Sequence, residues 1–89
     1  MNIKLANQQT QRLGLRIRDR RYELGMTQDE LADTATLSQG AISRIERGTS
    51  KPSVATLHRL RRGLAIEDSE WLLWLDLLAT KPNGSGADA

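Results

Sequence analysis

Residues 27–48 read TQDELADTATLSQGAISRIERG and carry the start and stop signals of two short helices. Thr27 and Glu30 fit a capping box, in which each side chain accepts a hydrogen bond from the backbone N–H of the other residue. Ser38 is a favourable N-cap for the second helix, and Gly48 is a favourable C-cap. The stretch therefore predicts two helices of about two turns each, separated by a tight turn.

The helical spacing of apolar residues predicts further elements on both sides of this pair. Leu13 and Ile17 indicate a first helix, and Ser53 opens a fourth helix with an apolar stripe. No segment alternates polar and apolar residues as a strand does, so we predict an all-α, compact five-helix domain. The predicted segments are a flexible arm at residues 1–9, a helix over 10–24, a globular unit over 10–66, an apolar helix over 71–79 within a C-terminal segment at 67–79, and a disordered tail at 80–89.

The composition excludes several classes of protein. The 89 residues include no cysteine and one histidine, which excludes disulfides and thiolate metal sites. The sequence contains no catalytic constellation and no glycine loop suited to cradle a phosphate, so we expect neither an enzyme nor a bound metal or cofactor. The apolar run at 71–79 is shorter than the ~20 residues of a membrane-spanning helix, so we expect a cytoplasmic protein without a membrane partner.

Charge is unevenly distributed along the chain. Residues 1–66 contain 12 Lys and Arg against 6 Asp and Glu, whereas residues 67–89 contain 1 against 5. A basic body favours a polyanionic partner, and an acidic, apolar C-terminal segment favours a separate packing or partner role. Ordinary solvated charge explains the same counts equally well, so composition alone leaves both interpretations open.

The two short helices carry small residues where they would cross, namely Ala32, Ala35 and Ala41, which is typical of a helix-turn-helix. Together with SVATLHRLRRGL at residues 53–64, the stretch resembles the Cro/C1-type, lambda-repressor-like family of bacterial and phage DNA-binding domains. The resemblance runs from about residue 13 to residue 66. It implies a sequence-specific regulator of transcription, with double-stranded DNA as its partner and the third helix in the major groove.

Two features depart from the family's pattern. Thr36 stands in the turn where the family usually has glycine. Because a β-branched residue at positive φ costs about 1–3 kcal/mol, the sequence leaves open whether the turn keeps the family's conformation. Arg61 and Arg62 replace small apolar residues of the fourth helix, and we interpret their charge as a contribution to solubility.

The polar face of the third helix is the candidate DNA-reading surface. At about 100° per residue, Ile42 and Ile45 share one side of this helix and leave a continuous polar arc on the other. Glutamine suits adenine in the major groove, and arginine suits guanine. The predicted base contacts on the polar arc are Gln39, Gly40, Ser43 and Arg44.

Gly40 raises a separate question, because a glycine inside a helix costs roughly 0.5–1 kcal/mol relative to alanine. One hypothesis is that the missing side chain lets the backbone approach DNA, so that Gln39 and Arg44 reach deeper into the groove. The alternative is that glycine is tolerated in the first turn, which lacks intrahelical N–H partners. The sequence does not distinguish the two.

The resemblance also implies roles for residues around the third helix. Glu46 matches the family's acidic residue that pairs with a first-helix arginine, here Arg21, so we predict a structural ion pair. For Lys51, a solvated loop charge is the alternative to a DNA contact. The predicted phosphate contacts are Gln28, Ser38, Arg47, Thr49, Ser50 and Lys51.

The fifth predicted helix is apolar on nearly every side, with Asp76 as the only charge between residues 71 and 79. Such a helix is usually buried on more than one side, and aromatic residues are frequent in protein interfaces. We therefore predict a homodimer, and the alternative is a purely internal role in the core. The predicted interface residues are Trp71, Trp74, Leu75 and Leu78.

Together these observations predict a dimeric repressor that binds a palindromic operator through its third helix. An antitoxin or controller-type autoregulator is the alternative within the same class. A protein-interaction module that docks a polymerase or toxin subunit is the alternative from another class. A steep, log-linear salt dependence of binding would distinguish a DNA-binding domain from that module.

Overall fold

Five α-helices make up the regular secondary structure in the computed structural model, which describes the backbone of residues 2–79 and the side chains of residues 8–79. This part of the chain contains no strand, and the predicted all-α, five-helix class is confirmed. The helices are α1 (Asn2–Glu23), α2 (Gln28–Ala35), α3 (Gln39–Arg47), α4 (Val54–Leu64) and α5 (Asp68–Ala79).

The first helix is longer than the sequence pattern predicts. It starts at Asn2, so the predicted start at residue 10 is wrong and residues 2–9, predicted as an arm, are part of α1. Neither proline nor glycine interrupts these residues, and the Lys, Leu, Ala and Gln among them are favourable in helices. The helix ends at Glu23 because Gly25 adopts the left-handed conformation, with a φ of 69°. The predicted tail at 80–89 lies outside the described residues.

The α2–α3 unit has the caps that its sequence predicts. The Glu30 N–H donates to Thr27 Oγ1 at 3.0 Å, and the Thr27 N–H donates to the Glu30 carboxylate at 2.8 Å. Ser38 caps α3 by accepting a hydrogen bond from the Ala41 N–H at 3.0 Å. Thr36 has φ of 59° and ψ of 48°, so the turn keeps the left-handed conformation despite the cost of a β-branched residue there.

Close packing between α1 and α3 fixes the position of α3. A Cβ added at Gly14 would lie 2.8 Å from the carbonyl oxygen of Glu46 and still closer to that of Ile45. These oxygens belong to the backbone of α3, so neither can move aside without moving the helix. Gly14 therefore lets the two helix backbones approach each other, and α3 is held against α1 through this contact.

The fifth helix completes the core of its own chain. Trp74 is 0% exposed, and Trp71 and Leu77 are buried beside it. The Trp74 Nε1–H donates to the Glu70 carboxylate at 2.8 Å, and Arg16 of α1 donates two further hydrogen bonds of 2.8 Å to the same carboxylate. The hydrogen bonds from Arg16 lower the pKa of Glu70, more than burial raises it. This ion pair ties α5 to α1.

The burial of α5 corrects the predicted dimer interface. Trp71 and Trp74 lie on the side of α5 that faces the chain's own core, so their assignment to a partner surface is wrong. The helix also begins at Asp68, three residues before the predicted start. Leu75 and Leu78, the other two predicted interface residues, are only partly buried at the edge of the core. The large apolar residues that α5 exposes are Leu72 (64% exposed) and Leu73 (36%).

Candidate nucleic-acid interface

The third helix separates a buried apolar side from an exposed polar side. Ile42 and Ile45 are almost completely buried against the core. Among the described residues, none forms a salt bridge with an arginine of the polar side. The four predicted base contacts and Arg47 lie on the side of α3 opposite the two isoleucines, where they form one solvent-facing surface. That surface consists of Gln39, Gly40, Ser43, Arg44 and Arg47, each exposed or partly exposed.

A buried ion pair supports this surface from below. Arg21 Nε and Nη2 donate to the two carboxylate oxygens of Glu46 at 2.6 and 2.9 Å. Arg21 Nη1 also donates to the carbonyl oxygen of Met26 at 2.8 Å. The Glu46 carboxylate raises the pKa of Arg21, chiefly by hydrogen bonding, so the guanidinium stays charged although it is buried. The two residues that the resemblance pairs are thus in direct contact.

A chain of hydrogen bonds links this ion pair to the polar surface. Gln28 Nε2 donates to the Glu46 carboxylate at 3.0 Å, and Gln39 Nε2 donates to Gln28 Oε1 at 2.6 Å. Gln28 therefore holds the amide of Gln39 in one orientation. Sequence reasoning missed this link and gave Gln28 only a phosphate contact. A glutamine at the first position of both short helices is the signal that could have indicated it.

Gly40 lies beneath the end of the Arg44 side chain. A Cβ added at Gly40 would lie 3.3 Å from Arg44 Nη1, and no other described group outside its own chain neighbourhood comes within 4 Å. Packing inside the protein therefore does not require glycine at this position, in contrast to Gly14. Because helical side chains point toward the N-terminus, the Arg44 guanidinium extends back over the first turn of α3, where Gly40 leaves room for it.

The predicted phosphate contacts lie around the two ends of α3. They differ in whether their hydrogen-bond donors are already used within the protein or are left to bind a phosphate. The Ser38 oxygen accepts the capping N–H, which leaves its O–H hydrogen free to donate. The Thr49 hydroxyl donates to the carbonyl oxygen of Arg44 at 3.2 Å, so it is already used at the end of the helix. Lys51 is exposed, and Ser50 is partly exposed, in the loop that follows. The side-chain amide of Gln28 donates one Nε2–H to Glu46 and accepts from Gln39 at Oε1, so its second Nε2–H and its backbone N–H are the donors left for an anion.

Two further findings delimit the chemistry of the described residues. No helix within residues 2–79 is both long and apolar enough to cross a membrane. The same part of the chain contains no group of three His, Asp or Glu side chains that could hold a metal ion.

Two short helices joined by a tight turn, with the second exposing a polar face beside basic residues, define a helix-turn-helix domain. The family model described as helix-turn-helix matches residues 17–71. The chain belongs to the Cro/C1-type helix-turn-helix family of DNA-binding transcription regulators. The family and the class of regulator predicted from the sequence are thereby confirmed.

Two relatives are named as regulators of this type. An uncharacterised HTH-type transcriptional regulator from Methanothermobacter thermautotrophicus is 40% identical over 60 residues, which cover 67% of this chain and 87% of the relative. The uncharacterised HTH-type transcriptional regulator y4dJ from Sinorhizobium fredii is 38% identical over 50 residues, which cover 56% of this chain and 65% of the relative.

The fold is similar to that of the restriction-modification controller protein C.Esp1396I. The wild-type controller has a TM-score of 0.66 and 28% identity, over 79% of this chain and 87% of the controller chain. For the controller tetramer in complex with its natural 35 base-pair operator, the TM-score is 0.67 and the identity 26%, over 81% of this chain and 96% of that chain.

Proposed function

We propose that this protein is a cytoplasmic, sequence-specific DNA-binding regulator that acts as a dimeric repressor on a palindromic operator. The main support is the polar face of α3, where hydrogen bonds reaching back to the buried Arg21–Glu46 pair orient Gln39. A solvated surface glutamine needs no such support. A side chain that reads a base gains affinity when its orientation is fixed before binding.

Gln39 and Arg44 are the proposed base-reading residues. Gln28 uses one N–H of the Gln39 amide. The second N–H and the Oε1 of Gln39 remain for N7 and the N6 amino group of adenine. The Arg44 guanidinium forms no ion pair within residues 8–79, and its planar fork matches O6 and N7 of guanine. Ser43 lies between them and can donate to either base.

The ends of α3 and the start of α2 supply the proposed phosphate contacts. Arg47 and Lys51 act as charged donors, and Ser38 and Ser50 donate through their hydroxyl groups. The backbone N–H of Gln28 contributes at the N-terminus of α2, where the helix dipole favours an anion. Thr49 can join them only when its hydroxyl turns away from the carbonyl of Arg44.

Base reading is tested with Arg44→Ala and its control Lys51→Ala. Arg44→Ala should cost about 1–3 kcal/mol on the best operator and flatten preference at one base pair per half-site. Lys51→Ala should weaken all sequences about equally and reduce the salt slope by about one. Both variants and the wild type are measured on a library of single-base operator changes at fixed salt, and again across a salt series.

Different failures of this test have different meanings. A uniform loss of affinity in Arg44→Ala, with selectivity intact, would make Arg44 a phosphate contact and leave base reading to Gln39 and Ser43. A wild-type protein that binds no DNA with log-linear salt dependence would contradict DNA binding itself and favour the protein-interaction module.

Gly40→Ala is expected to weaken binding through Arg44. The added methyl group must push the Arg44 guanidinium away from its 3.3 Å position. Because the end of the exposed Arg44 side chain must give way by only a few tenths of an ångström, we expect the lower end of the off-rotamer cost, about 0.5 kcal/mol, which is about a 2-fold loss of affinity for sites that carry the base pair read by Arg44. The same substitution in the Arg44→Ala background should then have no further effect. Equal losses in both backgrounds would favour direct approach of the backbone, and full affinity would leave Gly40 as a tolerated glycine.

Dimer formation is proposed through the exposed side of α5. Leu72 is 64% exposed, and Leu75 and Leu78 are partly exposed near it. An apolar patch of this kind on a two-fold axis is self-complementary, because each residue contacts the same patch on the partner. Two third helices spaced about 34 Å apart would then meet successive major grooves on one side of a palindromic site.

Leu72→Lys should convert the dimer to monomer and weaken operator binding together. Loss of one central apolar contact costs about 2 kcal/mol or more, which is about 30-fold in the dissociation constant of the dimer. Val54→Lys is the matched control, because Val54 is an exposed apolar residue of α4 (50%) and does not lie on α5. Sedimentation equilibrium that finds the same dimer in both variants would contradict the α5 interface.

An autoregulatory controller is the second candidate function, favoured by the fold similarity to C.Esp1396I. The two candidates differ in which promoter carries the operator. Footprinting of the purified protein on the region upstream of its own coding sequence would distinguish them. Protection of an inverted repeat there would favour autoregulation, and its absence would favour a regulator of other genes.

A further inference from the structure

A groove of about 450 Å³ borders the polar face of α3 and extends onto α1. Gln28, Ser43 and Arg47 line the part that it shares with the proposed DNA surface. Arg18 and Tyr22 line the part contributed by α1. Neither of these α1 residues has a role in the base or phosphate contacts proposed above.

The groove carries an excess of positive charge. Glu46 is the carboxylate that lines it, and Arg21 and Gln28 already occupy both of its oxygens. Arg18 and Arg47 form no salt bridge with any residue that the structure describes. Two arginines without counterions on one concave surface attract an anion.

Arg18 is held in place without having its hydrogen-bonding capacity filled. Its guanidinium carbon lies 5.8 Å from the centre of the Tyr22 ring, within the range of a cation–π contact. Its Nε is enclosed and has no hydrogen-bond partner. A buried N–H without a partner is costly, and an anion with strong acceptor oxygens would satisfy it by drawing the Arg18 side chain toward the groove.

We propose that this groove receives a backbone phosphate of the DNA duplex, with Arg18 as the donor from α1 and Tyr22 as the residue that positions its guanidinium. This inference rests on the proposed DNA binding and extends the contact surface beyond the helix-turn-helix unit. A DNA phosphate fits better than a free anion because the groove is continuous with Ser43 and Arg47 of the base-reading helix. The contact would position the protein without reading sequence.

The test compares the salt dependence of operator binding in the wild type, Arg18→Ala and Arg62→Ala from 50 to 200 mM KCl. Loss of one phosphate contact reduces the slope of log K against log salt by about 0.9, so the affinity ratio of wild type to Arg18→Ala should shrink about 3.5-fold over this range. Arg62→Ala removes the same charge from an exposed position on α4 outside the groove and should leave the slope unchanged. Arg18→Gln keeps most of the packing on Tyr22 and replaces Arg18→Ala where the alanine variant does not fold.

A scan with single neutral methylphosphonate linkages locates the phosphate. At one position per half-site, the neutral linkage should weaken binding of the wild type and leave binding of Arg18→Gln unchanged. A slope for Arg18→Gln equal to that of the wild type, or a scan without such a position, would overturn the inference. Both results presuppose a wild type that binds operator DNA, and a wild type that binds none would contradict the proposed function instead.

Discussion

Glu46→Ala is expected to lower the free energy of unfolding by about 3–5 kcal/mol, the usual cost of breaking a buried ion pair. Glu46 and Arg21 are 4% and 6% exposed and share two hydrogen bonds. Truncation leaves the Arg21 charge buried without a carboxylate to neutralise it, although the carbonyl oxygen of Met26 still accepts a hydrogen bond from its Nη1. We expect base preference to change less than stability and only at the base that Gln39 reads, because Gln28 loses its bond to Glu46 but stays bonded to Gln39.

Chemical denaturation of Glu46→Ala and a matched control checks this expectation. The control is Glu23→Ala. Glu23 forms an ion pair with Arg20 of α1 at 3.2 Å, but that pair lies at the surface. An exposed pair contributes about 0–1 kcal/mol, so the control should remain close to the wild type. Equally small losses in both variants would show that the Arg21–Glu46 pair is solvated and stabilises little.

Gly14→Ala is the second substitution with a large expected effect, a loss of about 3 kcal/mol in the free energy of unfolding. Its methyl group would collide with the carbonyl oxygens of Ile45 and Glu46. Alanine is the better helix former by about 0.5–1 kcal/mol, but this gain is smaller than the cost of separating two packed helices. Since α3 must shift away from α1, operator binding should fall together with stability.

Gly63→Ala is the matched control for this substitution, because Gly63 lies inside α4. There the added Cβ would meet side-chain atoms of Leu31 and Thr34 at 3.3 Å, so side chains rather than a helix backbone must give way, by a few tenths of an ångström. Thermal melts should therefore separate a strongly destabilised Gly14→Ala from a nearly unchanged Gly63→Ala. Similar melting temperatures in the two variants would contradict the view that contact between helix backbones requires Gly14.

Local signals in the sequence predicted the central unit correctly. The capping box at Thr27, the N-cap at Ser38 and the C-cap at Gly48 each depend on residues within a few positions, and each is present in the structure. The apolar residues of α3 fall on one face of the helix, so its buried and exposed sides follow from their spacing alone. For the same reason the pattern correctly placed Ile42 and Ile45 inside.

The fifth helix shows where sequence patterns stop being informative. Its residues are apolar on almost every side, so spacing alone gives no preferred direction for burial. Contacts with α1 and α4 decide that Trp71 and Trp74 face the core, and that Leu72 remains exposed. The start of α1 was mispredicted for a related reason, because a polar sequence without a breaker is compatible with both helix and coil.

The caps of α2, α3 and α4, the helix-turn-helix and the polar composition of the α3 face could be predicted from the sequence, because they depend on groups within one or two turns of each other. The support of that face could not, because it depends on how the helices pack. Gln28 accepts a hydrogen bond from Gln39 across the turn. Gly14 of α1 is far from α3 in the sequence, and its missing side chain leaves room for the backbone of α3. Such contacts join residues far apart in the chain, and their geometry exists only once the helices have packed.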